Sequence, residues 1–173
     1  RARSLFGLCP HRPLVVTVRR LVKRVGLESL IEAIDQLRRS EPDILVLVAG
    51  RGPLADTLTT RIEERNLTRH VRLLGFVLDR DLPALYRAAD VSIVPSTAWE
   101  GFGLVAAESL AAGTPALVTP VGVLPEVVSP LSKALILDDK TPDALARGLK
   151  EAFRGTRSLP SSEACYRYAR RHF

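Results

Sequence analysis

Short apolar runs rich in β-branched residues alternate along this chain with longer segments whose apolar residues recur at helical spacing, and glycine or proline stands at most junctions. A strand that is apolar on both faces must be covered on both, and a helix between two such strands covers one face. The arrangement that serves every segment is an α/β fold: a doubly wound, mostly parallel sheet of about six strands with helices on both faces. The runs at 14–18, 44–49, 71–74, 91–95, 115–119 and 134–137 read as strands. Segments 26–39, 54–66, 82–89, 103–112, 141–153 and 161–172 read as helices, with Pro53 and the Thr141-Pro142 pair as starts and Gly113 as a stop. Residues 1–13, basic and aperiodic with two prolines, read as an inter-domain linker, 14–155 as a Rossmann-like domain, and 156–173 as a helical tail.

With 46% hydrophobic and 25% charged residues, the chain is excluded from the disordered, collagen-like and coiled-coil classes. No window approaches the ~20 apolar residues of a membrane span, and no signal-peptide pattern opens the chain. Arg1 stands where a translation product has Met, so a fragment is expected. The formal charge of +6 is uneven: residues 1–39 carry +6, residues 40–153 carry −4 and residues 154–173 carry +4. Basic ends without interleaved aromatics or a reader motif argue against nucleic acid as a partner. Cys9 and Cys165 fit no metal spacing or disulfide framework, which reads as free thiols and a cytoplasmic protein.

In a doubly wound sheet, ligands bind beyond the carboxyl ends of the strands. Glycines or charged residues follow most of those ends: Arg19, Arg20, Lys23 and Arg24; then Gly50 to Pro53; then Trp99 to Gly103; then Pro120 to Glu126. Any one of these loops is only a tight turn, but together they fall on one edge. Gly101 and Gly103 open a helix whose free N–H groups suit a phosphate. Glu108, about one turn into that helix, and Glu100, in the loop, are candidate acceptors for vicinal hydroxyls. Two diol acceptors flanking an anion site describe a nucleotide-sugar; an exposed loop glutamate and an ordinary helix-surface carboxylate explain the same spacing equally well.

The segment Glu100-Gly-Phe-Gly-Leu-Val-Ala-Ala-Glu108, followed by Ala-Ala-Gly-Thr-Pro, resembles the nucleotide-sugar signature of the group 1 glycosyltransferases, a retaining family of GT-B fold. Val18-Arg-Arg-Leu-Val22, Ala49-Gly-Arg-Gly-Pro53, Val71-Arg-Leu-Leu-Gly-Phe76, Ala89-Asp-Val-Ser-Ile-Val-Pro-Ser96 and Pro120-Val-Gly-Val-Leu-Pro-Glu126 resemble further family motifs in the same order. The resemblance implies the donor-binding, C-terminal half of such an enzyme, with a nucleotide-diphosphate sugar as donor substrate. It implies Arg20 and Glu100 as catalytic residues, Arg20 on the diphosphate and Glu100 at the transferred sugar. The backbone of Gly101, Phe102, Gly103 and Leu104 would hold phosphates and sugar, Glu108 the ribose, and Phe76 and Val77 the edge of the base. Gly50 and Gly52 would line the nucleotide cleft.

Three positions depart from the family pattern: Val25 replaces its lysine, Arg19 replaces the glycine before the motif arginine, and Val123 replaces the second glycine of the last loop. Lys23 and Arg24 are the substitute phosphate cations. With no Asp-x-Asp or histidine cluster, no metal and no cofactor are expected. The implied partner is an N-terminal acceptor-binding domain of the same full-length chain, without which the fragment is expected to be inactive. A membrane surface is a partner only for the full-length enzyme. Half of a GT-B sugar-nucleotide epimerase and a non-catalytic nucleotide-binding module remain open alternatives.

Overall fold

The computed structural model describes residues 2–173. Its strands are β1 (Leu14–Val18), β2 (Leu45–Ala49), β3 (Val71–Gly75), β4 (Val91–Val94) and β5 (Ala116–Val118). Its helices are α1 (Ala2–Leu5), α2 (Leu27–Leu37), α3 (Ala55–Glu64), α4 (Leu82–Ala88), α5 (Leu104–Ala111), α6 (Leu124–Val128), α7 (Pro142–Arg154) and α8 (Ser162–His172). The strands form one parallel sheet in the order β3-β2-β1-β4-β5.

Strand periodicity divides the core. Val15, Val46 and Val48 face the cluster that holds Leu30, Ile31 and Ile34 of α2, Leu58 of α3 and Leu149 of α7. Leu14, Val16, Leu45 and Leu47 point the other way, onto Leu85 and Tyr86 of α4. A third cluster joins Val94 and Val118 to Leu110 of α5, Leu124 of α6 and Cys165 of α8. The apolar positions of α2 are all on its buried face. Full burial of one such side chain is worth roughly 1.5–3 kcal/mol, so packing rather than propensity holds this helix. The starts of α7 and α8 are capped as their sequences indicate. Thr141 Oγ1 accepts from Ala144 N–H at 3.3 Å, and Ser161 Oγ from Ala164 N–H at 3.2 Å.

Of the six expected strands, the one at 134–137 is corrected. Lys133–Leu135 is a 3-10 turn, and only Ile136 bridges the sheet, at Val118. Its leucines are apolar because they cover the sheet end, with Leu135 and Leu137 both buried. Its polar groups are served from elsewhere: Ser132 Oγ accepts from Ala134 N–H at 3.2 Å, and Arg157 donates to Ala134 O at 2.9 Å. Helix α6 lies where only a glycine loop was expected. The segment before β1 contains α1, whose Arg3 donates to Ala88 O, Pro10 O and Arg12 O and pairs with Asp90 at 2.8 Å. Among the described residues, no helix is long and apolar enough to cross a membrane.

The sheet order places the site. Successive crossovers run from β1 outward to β3, then return to β4 beside β1 and run outward to β5. Between β1 and β4 the direction reverses, and a crevice opens there beyond the carboxyl ends. β1 pairs with β2 along its whole length, from Leu14–Leu45 to Val18–Ala49, but with β4 only at Val15–Val91 and Val16–Ser92. Above those pairs the ladder between the two strands ends.

Candidate active site

Two loops meet beyond the end of that ladder. Arg19 leaves the end of β1, and its Nη2 donates to Glu100 Oε2 at 2.7 Å and to Ser96 Oγ at 2.9 Å. Ser96 donates its own proton to the same carboxylate oxygen at 2.7 Å. The Arg19 and Glu100 side chains are only 8% and 12% exposed. Burial pushes the Glu100 carboxyl up. The hydrogen bonds from Ser96, Arg19 and the Gly103 backbone, together with the Arg19 charge, outweigh it, and the group lies below its ordinary value. At neutral pH Glu100 is therefore a fixed anion rather than a proton donor.

The loop carrying Glu100 is pinned from several sides. Arg24 Nη1 donates to Trp99 O at 2.6 Å, Thr97 N–H to Arg24 O at 2.9 Å, and Lys140 Nζ to Thr97 O at 3.0 Å. Val123 N–H donates to Glu100 O at 3.1 Å. The neighbouring Gly122, at φ 55°, lies so close to Glu100 O that a Cβ there would collide with it. Trp99 adopts φ 56°, a left-handed conformation that costs a non-glycine residue on the order of 1 kcal/mol. Trp99 is nevertheless 84% exposed, so packing does not account for the conformation.

Two cavities flank the Arg19–Glu100 pair. One, of about 350 Å³, is lined by Arg19, Arg24 and the run from Trp99 to Val105. It includes the start of α5, where Gly103 provides no side-chain cap; the Gly103 N–H turns to the Glu100 carboxylate and the Ala106 N–H to Gly103 O, which leaves the N–H groups of Leu104 and Val105 without a cap. The other, of about 370 Å³, is lined among others by Arg19, Arg20, Arg24, Glu100, Val105 and Glu108. Tyr86 of α4 donates to Glu108 Oε2 at 3.3 Å. Burial pushes the Glu108 carboxyl up, the Tyr86 hydrogen bond opposes this, and the Asp79 charge adds to it; the net direction is upward. The Tyr86 hydroxyl is itself pushed far up by burial and then by the Glu108 charge, so it is always a donor. Beyond Glu108 lies a third cavity of about 390 Å³, bordered by Asp79, Leu82, Tyr86 and Arg87.

The structure thus brings together Glu100, Arg20, Arg24, Gly101, Phe102, Gly103, Leu104 and Glu108 around two adjoining spaces. Arg20 is exposed, and among the described residues its side chain has no hydrogen-bond or ion-pair partner. Gly50, Gly52, Lys23, Phe76 and Val77 line none of these three cavities. The glycine faces are filled by protein: a Cβ at Gly50 would run into Arg19 O, and one at Gly52 into the Leu21 backbone. Phe76 is 55% exposed beneath the Arg51 guanidinium, 5.3 Å from its ring centre, while Val77 packs on the α4 side of the core. Sequence reasoning did not select Arg19, Ser96, Tyr86 or Asp79 as site residues. Ser96 stands inside a motif, and Arg19 stands among the cations that follow β1 and at a departure from a motif.

Known proteins resemble this chain in sequence and in fold. A family model described as glycosyl transferases group 1 matches residues 7–172. The chain is 33% identical over 151 residues to a GDP-mannose-dependent phosphatidylinositol monomannoside mannosyltransferase of Mycolicibacterium smegmatis, covering 84% of this chain and 39% of that one. Among solved structures it superposes on sucrose-phosphate synthase of Thermosynechococcus elongatus with a TM-score of 0.87 and 28% identity, over 99% of this chain and 44% of that one. It also superposes on Anabaena HepE, solved with UDP and glucose, with a TM-score of 0.86 and 24% identity, over 99% of this chain and 47% of that one. The chain therefore spans less than half the length of each of these relatives.

Proposed function

Because the chain belongs to the group 1 glycosyltransferases, we propose that it is the nucleotide-diphosphate-sugar-binding half of a retaining glycosyltransferase, working with an acceptor-binding domain of the same full-length protein. The observation that carries this reading is the convergence of Glu100, Arg20, the start of α5 and Glu108 on adjoining cavities at the point where the strand order reverses. HepE was solved with UDP and glucose, and the mannosyltransferase is named as GDP-mannose-dependent. A nucleoside diphosphate is the ligand class common to both.

In this reading the diphosphate lies between Arg20 and the uncapped N–H groups of α5, and the sugar lies against Glu100. As the bond from the anomeric carbon to the diphosphate lengthens, negative charge grows on the leaving oxygens and positive charge on the sugar. Arg20 and the α5 amides face the first, and the fixed Glu100 anion faces the second. Both are in place before the reaction, so little reorganisation is needed at the transition state. Glu108, one turn further along α5, accepts the ribose hydroxyls. The reading calls on no metal and no cofactor, and places the protein in the cytoplasm. Without the acceptor domain, residues 1–173 are expected to bind donor but transfer little.

Thermal stabilisation by UDP, GDP and ADP tests the proposal, with Glu108→Ala alongside. At least one nucleotide should raise the melting temperature of the wild type, and the rise should shrink in the variant. The absence of a shift with all three would sink the reading.

A further inference from the structure

Arg19 is an expensive residue to place where it lies. Its guanidinium is almost wholly buried, and a buried ion pair loses hydration that an apolar side chain of similar size would not. Its Nε is buried with no hydrogen-bond partner among the described residues, a further cost with no structural return. The backbone here does not ask for arginine: the Arg19 N–H donates to Ala49 O at 2.9 Å, as any residue could. A charged group held at such cost in a cavity wall is a candidate for function.

Its position indicates which function. Arg19 and Arg24 are the two cations that line both cavities beside Glu100. Arg24 is committed through Nη1 to the carbonyl of Trp99. A carboxylate ionised at the mouth of an anion site repels the anion, and Glu100 is such a carboxylate. The Arg19 guanidinium, 2.7 Å from it, offsets that repulsion; its Nη2 is taken by Glu100 and Ser96, while its Nη1 has no hydrogen-bond partner among the described residues, and the side chain lines both spaces. Position 25, where a further cation is absent, holds a valine that is 3% exposed and packed in the core.

We infer that Arg19 is a cation of the donor site in its own right: it neutralises Glu100 and takes part in holding the second phosphate of a nucleoside diphosphate, alongside the exposed Arg20. The inference rests on the donor-site reading above and adds a residue to it. It distinguishes diphosphates from monophosphates, because a ligand with one phosphate reaches the α5 amides or the arginine wall but does not span both.

Calorimetric titration of the protein with UDP, GDP and ADP, and with UMP, GMP and AMP, tests it in the wild type, Arg19→Gln and Arg19→Lys. Glutamine keeps most of the volume and a hydrogen bond to Glu100 or Ser96 but removes the charge; lysine keeps the charge. The expected result is a preference for diphosphate over monophosphate that falls about tenfold or more in Arg19→Gln, the size of one lost charge-assisted contact, and is largely kept in Arg19→Lys. Circular dichroism and melting curves confirm that the variants are folded; should Arg19→Gln not fold, loss of the preference in Arg19→Lys would overturn the inference and its retention would support it. An unchanged preference in folded Arg19→Gln overturns the inference while leaving the donor site standing. Tighter diphosphate binding in that variant also overturns it and marks Arg19 as a plug. A wild type that binds none of the three diphosphates overturns the donor-site reading and this inference together.

Discussion

Tyr86, buried in α4, brings its hydroxyl to 3.3 Å from Glu108 on α5 and to the same distance from the carbonyl of Val105. One proton is shared between the two acceptors, and the charged carboxylate is the stronger of them. Tyr86→Phe should lower stability by about 1 kcal/mol, read from urea unfolding. On the proposed donor-site reading it should also free Glu108 from the position in which it would accept ribose hydroxyls, so that UDP loses part of its advantage over 2′-deoxy-UDP in titration. A variant that is less stable but discriminates as before would reduce Tyr86 to a packing role.

That contact also marks the limit of what the sequence discloses. The strand at Leu14–Val18 and the helix at Leu27–Leu37 were legible because burial on both faces, or on one stripe, leaves a periodic record. The carboxylates Glu100 and Glu108 were legible because glycines and a helix start lie between them. The order of Arg19 and Arg20 was not. Adjacent residues at a strand end point to opposite sides, and which one turns inward depends on how the chain leaves the sheet after Val18. Tyr86 reads as an ordinary apolar position of a helix, and nothing local says that its hydroxyl meets a carboxylate on another helix. The apolar run at 134–137 misled for a related reason: a segment covering a sheet end is as apolar as a strand within it.

The two glutamates should imprint opposite pH dependences on stability. The folded-state pKa of Glu100 is depressed, so its contribution is present above the ordinary value of 4.5 and is lost as pH falls through the lower folded value. Glu108 is raised, so its ionisation costs stability as pH climbs through 4.5 toward the folded value. Glu100→Gln should therefore be destabilising at pH 7 and progressively less so in acid. Glu108→Gln should relieve a penalty at pH 7 that is absent below pH 4.5. Chemical unfolding of both variants from pH 3 to 7 checks the signs.

Gly122→Ala should damage the site more than its size suggests. The new methyl group would collide with Glu100 O, and φ 55° is itself unfavourable for alanine. A loss of roughly 1–3 kcal/mol is expected, together with displacement of the Glu100 loop and a marked loss of any nucleotide-induced thermal shift. Binding left intact in this variant would show that the loop has another foothold.

The two thiols should behave very differently. Cys9 is exposed, whereas Cys165 is fully buried against α5 and its thiol is pushed up to about 11 by burial. A chromogenic disulfide reagent should titrate one thiol in the native protein and two in guanidinium. Two fast thiols under native conditions would show that α8 detaches readily.

The end of the β1–β4 ladder at Val16–Ser92 has a mechanical meaning. The sheet consists of two smaller panels, β3-β2-β1 and β4-β5, whose strand ladders are joined only by the two pairs near their amino ends. Beyond those pairs the contact from Arg19 to Glu100 acts as a cross-brace, beside the bonds of Arg24 with Thr97 and Trp99, between panels that no strand ladder connects there. A ligand seated against both residues would stiffen the molecule between its panels rather than within either one. Amide protons of Val91–Val94 should then become slower to exchange on binding, even though no hydrogen bond in their own ladder changes.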